Sequence, residues 1–116
     1  MLRLLLLIFV GFGVTPVMAH AFLDHARPAV GSTVHESPGE IRLWFTQRLE
    51  PVFSKVRVLD KTGKEVNAGD SRVDSADSTL IVATVSSLAP GTYRVVWRVV
   101  SIDTHVTEGD FTFEVS

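Results

Sequence analysis

Apolar and polar residues alternate with a period of two along most of the chain beyond residue 20. The alternation is clearest over 40–47, where Ile41, Leu43 and Phe45 face one way and Arg42, Trp44 and Thr46 the other. It returns over 93–100, where Tyr93, Val95, Trp97 and Val99 interleave with Arg94, Val96, Arg98 and Val100. Successive side chains of an extended backbone point to opposite faces, so each stretch predicts a half-buried β-strand. Similar patterns predict strands over 53–59, with Val56 and Val58 inward, over 79–85, and over 109–115, with Phe111, Phe113 and Val115 inward. A first edge strand is predicted over 20–27, with Phe22 as its core residue. The clusters Pro28 to Gly31, Ser37-Pro-Gly39, Leu49-Glu-Pro51, Lys61-Thr-Gly63 and Ala89-Pro-Gly91 read as breaks and turns. Residues 64–78 are polar, rich in Asp and Ser, with room for at most two short strands. No segment beyond residue 20 carries a helical period. About seven short strands separated by turn signals predict an all-β chain, an antiparallel sandwich or barrel with Greek-key crossings.

The first nineteen residues follow a different pattern. Arg3 precedes an apolar run of eleven residues from Leu4 to Val14, and Val17 and Ala19 are small residues placed as before a cleavage site. This is the pattern of a secretory signal peptide, cut after Ala19. The sixteen residues from Leu4 to Ala19, broken by Gly11, Gly13 and Pro16, are too few for a membrane span of ~20 residues. The expected organisation is therefore a signal peptide over 1–19 and one domain over 20–116, exported and not inserted in the membrane after cleavage.

Composition sharpens this picture. Loss of Arg3 with the leader leaves ten Lys and Arg against thirteen Asp and Glu, a formal charge of −3. No basic cluster suggests a nucleic-acid partner or an anionic membrane surface. The chain has no cysteine, so no disulfide supports the fold, and both methionines, Met1 and Met18, lie in the leader. The processed protein thus has no thiolate or thioether with which to hold a soft ion such as Cu(I).

Two candidate sets of donors remain. Asp103 and His105 follow the strand that carries Trp97, and in an extended backbone residues two apart share a side. Cleavage after Ala19 makes His20 the first residue. Its α-amine, with a pKa of about 7.7–8.0, can lose a proton to a metal near neutral pH and close a chelate ring with its own imidazole. Amine, imidazole and carboxylate donors in tetragonal geometry are what Cu(II) prefers. A frayed terminus and a solvated loop are the ordinary alternatives for these positions.

The chain resembles the periplasmic copper-resistance CopC family over essentially all of residues 20–116. Four stretches carry the resemblance: His20 directly after the leader, the Pro28 to Gly31 turn, the strand Glu40-Ile-Arg-Leu-Trp-Phe45, and the segment from Leu88 to His105 with the Gly109 to Phe113 tail. The last, containing Trp97-Arg-Val-Val-Ser-Ile-Asp-Thr-His105, is the most specific. The resemblance implies an immunoglobulin-like sandwich in the periplasm that binds Cu(II) through the terminal amine and imidazole of His20 together with Asp103 and His105. A CopD-like inner-membrane copper protein is the partner it implies, by analogy. A second, methionine-built Cu(I) site found in some relatives is not carried over, because its methionines are missing here. Many relatives place a Glu after the first strong strand, close to the copper; here Gln47 stands there, a departure that leaves it a supporting position around the metal.

Other readings are distinguishable. A terminal His with a second His is also the brace of copper monooxygenases, but a short-looped domain of 97 residues with an Asp beside the ion leaves little room for a polysaccharide surface. A non-metal interaction domain is the default for such a sandwich by fold alone. His25, placed by parity on the other face from His20, and His35, in a polar loop beside Glu36, read as surface residues. Trp44 and Trp97 read as packing residues.

Overall fold

The structure, a computed structural model, describes residues 21–116. It contains eight strands: β1 (Leu23–Arg27), β2 (Thr33–Val34), β3 (Glu40–Phe45), β4 (Lys55–Leu59), β5 (Arg72–Val73), β6 (Leu80–Thr84), β7 (Gly91–Val100) and β8 (Val106–Val115). They form two four-stranded sheets, one in the order β1-β3-β6-β5 and the other β2-β8-β7-β4. The chain changes sheet repeatedly, so neighbours in space are often distant in sequence, as Greek-key crossings require. The alternation read from the sequence is what closes the two layers. Ile41, Leu43 and Phe45 from β3, Val56 and Val58 from β4, Val95 and Val99 from β7, and Phe111, Phe113 and Val115 from β8 meet in one buried cluster. A truncation at the centre of that cluster, such as Leu43→Ala, costs about 2–5 kcal/mol on the usual scale for large-to-small changes.

Two packing details fix the last two strands. The hydroxyl of Tyr93 donates to the carbonyl of Ala89, 2.6 Å away, tying the start of β7 back to the turn before it, a device shared with immunoglobulin-like sandwiches. Gly109 sits opposite Trp97, where an added Cβ would fall 2.3 Å from the indole ring. The glycine lets the indole lie flat across β8, where it packs edge-on to Phe45 with centroids 5.9 Å apart.

Several expectations are corrected. Phe22 is not a core residue: it is 46% exposed, while Ala21 beside it is 1% exposed and belongs to the core. The pairing of β1 with β3 slips between Leu23 and His25, and such a bulge reverses the in–out parity of everything before it. Between the Pro28 to Gly31 and Ser37-Pro-Gly39 turns the chain holds a further short strand, β2, which pairs with β8 in parallel. The last strand begins at Val106, not Gly109, and the strand expected from Phe53 begins at Lys55, leaving Phe53 61% exposed.

Candidate metal centre

Three backbone segments converge at one end of the sandwich. The first is the start of the described chain. Phe22 exchanges bonds with Thr46, its amide donating to Thr46 Oγ1 at 3.0 Å and its carbonyl accepting from the Thr46 amide at 2.9 Å. The second is the run after β3, where the Arg48 carbonyl accepts from the Ile102 amide at 3.0 Å and the Glu50 amide donates to Val100 at 2.7 Å. The third is the β7–β8 hairpin. Its Thr107 hydroxyl donates to the carbonyl of Ala21 at 2.7 Å. The half-buried Gln47 therefore lies between a residue bonded to the N-terminal arm and one bonded to the hairpin.

Asp103 and His105 occupy that hairpin, but not as an extended strand. The Thr104 amide bonds the Ser101 carbonyl at 2.8 Å and the Ser101 amide bonds the His105 carbonyl at 2.9 Å. With Thr104 at φ 74°, this is a three-residue loop, a turn followed by a left-handed residue. Glycine is the usual occupant of such a position. A β-branched residue there costs roughly 1–3 kcal/mol of backbone strain. The two side chains still meet, with His105 Nδ1 3.3 Å from Asp103 Oδ1. The cause is the tight turn, not the strand parity on which the sequence argument rested.

Ser101, which no sequence argument singled out, organises the pair. It is 1% exposed, and its hydroxyl donates to Asp103 Oδ1 while lying 3.3 Å from both the amide and the carbonyl of His105. The Ser101 hydroxyl bond chiefly holds the Asp103 carboxyl below its ordinary value; desolvation opposes it, and the hydrogen bond and charge of His105 add smaller lowering effects. Asp103 is thus a carboxylate at neutral pH. Both contacts fall on Oδ1, and both side chains are about half exposed, 48% for Asp103 and 46% for His105. An exposed pair whose geometry is set from beneath can accept a ligand without rearranging.

Donor spacing tests the fit to a metal. Nitrogen and oxygen ligands at ~2.0–2.2 Å from one ion lie roughly 2.9 Å apart at a right angle and about 3.4 Å apart at a tetrahedral angle. The observed 3.3 Å falls within that interval. Two donors do not make a site, and among the described residues no group of three His, Cys, Asp or Glu surrounds a common point. Further donors must come from elsewhere. His20 lies outside the described residues, as does the leader over 1–19.

The other histidines have different surroundings. His25 stacks on Trp44, with ring centroids 4.3 Å apart and planes 8° from parallel, and its Nδ1 lies 2.7 Å from Asp24 Oδ2. His35 Nδ1 lies 2.7 Å from Ser116 Oγ. Both are exposed, as the sequence indicates, although the bulge in β1 removes the parity reason given for His25.

An immunoglobulin-like sandwich with an exposed carboxylate–imidazole pair on its last hairpin is the class this geometry defines. The chain belongs to the CopC family: the CopC domain model matches residues 23–116. It is 39% identical over 104 residues to protein YobA of Escherichia coli K12, covering 88% of this chain and 84% of that protein. It is 34% identical to copper resistance protein C of Pseudomonas syringae pv. tomato, covering 84% of this chain and 81% of that protein. Among solved structures, CopC from Methylosinus trichosporium OB3b superposes with a TM-score of 0.75 at 34% identity, covering 84% of this chain and 94% of that one.

Proposed function

We propose that this chain is a copper-binding protein of copper resistance and homeostasis that carries or buffers Cu(II) in the periplasm. The site uses the amine and imidazole of His20 as the processed terminus, with Asp103 and His105 from the β7–β8 hairpin. One observation carries the reading: the Ala21 carbonyl is bonded to Thr107, two residues beyond His105, with Ala21 buried. His20 directly precedes Ala21 in sequence, so a terminus processed after Ala19 begins one residue from that anchor. Three nitrogens and one oxygen around Cu(II) satisfy its preference for tetragonal, borderline donors. Nothing in that set is soft, so Cu(I) is held poorly, and reduction offers a route to release.

Carriage, not catalysis, is the role these donors suit, since all of them hold the ion and none stands ready to act on a substrate. Delivery to a CopD-like inner-membrane protein follows by analogy with the family. Export and cleavage after Ala19 rest on the leader's composition. The test is competition of the processed protein against a Cu(II) chelator and a Cu(I) chelator. Tight retention of one Cu(II) with ready loss of Cu(I) is expected; strong Cu(I) retention overturns the ligand assignment.

A further inference from the structure

Thr107 stands where the fold calls for an apolar side chain. It pairs with Val99, which is completely buried, and alternates with Gly109 and Phe111 on the inner face of β8. Directly opposed residues of an antiparallel pair share a face, so the Thr107 side chain belongs to the inner layer at the open end of the sandwich. A hydroxyl in such a place needs a partner, and it has one in the Ala21 carbonyl at 2.7 Å. Ala21 fills the mouth between the sheets at 1% exposure. On its other side, Phe22 is held by Thr46 through two bonds of 3.0 and 2.9 Å. The first described residues, next to a terminus where fraying is the norm, are gripped from β8 on one side and from the run after β3 on the other.

We infer that Thr107, with Thr46 opposite, is a positioning residue that clamps the N-terminal arm and so presents the terminal amine to the copper site. The inference rests on the terminal amine being a ligand. Its physical content is preorganisation: an arm already fixed at Ala21 and Phe22 loses less freedom when its first residue closes on the metal, so the ion is held more tightly and released more slowly. Thr107 itself touches no metal. It acts through a backbone carbonyl one residue away from the ligand.

The experiment is a double-mutant cycle on Cu(II) dissociation constants, using the processed protein, its Thr107→Val variant, and both again with the α-amine acetylated. Thr107→Val keeps the shape and removes the donor. With the amine free, it should weaken Cu(II) binding about threefold to tenfold, the range of one net hydrogen bond. With the amine blocked, the same substitution should change nothing, and Thr107→Ser should restore the native constant. Equal weakening in free and blocked forms would mean a purely structural role and overturn the inference. So would an unchanged constant in the free form. If acetylation alone leaves the affinity of the native chain intact, the amine is no ligand and the site reading fails with it.

Discussion

Asp60 and Asp103 are each held by short hydrogen bonds within a turn, but by different kinds of partner. In the loop after β4, Asp60 Oδ1 accepts from the amides of Thr62 and Lys64 at 2.8 and 3.0 Å and from the Thr62 hydroxyl at 2.6 Å. The carboxylate is absorbed by its own turn, with Gly63 supplying the left-handed residue at φ 88°. In the β7–β8 hairpin, Asp103 is held by a buried hydroxyl and an imidazole, and the left-handed position goes to a strained threonine. Both carboxyls are lowered from their ordinary value. A depressed carboxyl therefore does not by itself mark a site here; what distinguishes Asp103 is that one of its partners is an imidazole, a side chain able to bind a metal.

The sharpest way to break the comparison is to remove that donor. His105→Ala should weaken Cu(II) binding by more than about a hundredfold, beyond the loss typical of outer partners. Asp60→Ala should leave the constant unchanged; a shared loss would mean that the hairpin is not special. Ser101→Ala comes next, with a loss of about tenfold, because Asp103 and the His105 backbone lose the hydroxyl that aligns them. Titration with Cu(II), followed by quenching of tryptophan emission, measures both.

Acid acts on both turns in the same direction, since both carboxyls are lowered, and it tests what the Asp60 turn contributes to the fold. The folded pKa of Asp60 is lowered chiefly by the Thr62 hydroxyl, so its contribution is present above the ordinary value of 3.8 and is lost as pH falls through the lower folded value. Asp70 and Asp77, held by Thr84 and Thr79, act in the same direction. The metal-free protein should lose several degrees of Tm between about pH 4 and pH 2. Asp60→Asn should show a shallower decline, readable by thermal denaturation at a series of pH values. An unchanged slope would mean that the Asp60 turn does not stabilise the fold.

The smallest effect expected is at Gln47. A carboxylate there adds attraction for a divalent ion, so Gln47→Glu should tighten Cu(II) binding severalfold, with the gain shrinking as salt rises. An unchanged or weaker constant would place the side chain away from the copper.

The two turns also explain what the sequence could tell. Lys61-Thr-Gly63 announces itself, since glycine is the residue a left-handed position favours. Ser101-Ile-Asp-Thr-His105 carries no glycine, asparagine or proline, so it reads as extended chain; the Asp103 and His105 side chains do meet, but through the turn and not through strand parity. The strands with a buried face on every second residue, β3, β4, β7 and the end of β8, were legible because period-two alternation records burial directly. Phe22 faces outward, against its alternation, because one bulge in β1 flips parity, which no residue count detects. The role of Ser101 is not legible in the sequence, because a serine at a strand end looks like a turn residue until its burial is known.

The proposed copper site joins the N-terminal arm to the β7–β8 hairpin. Electron paramagnetic resonance of Cu(II) bound to the protein beginning at His20 tests it most directly. The prediction is a tetragonal signal with superhyperfine splitting from three nitrogens, falling to two in His105→Ala. A native spectrum with fewer nitrogens, or one that His105→Ala leaves unchanged, would contradict it.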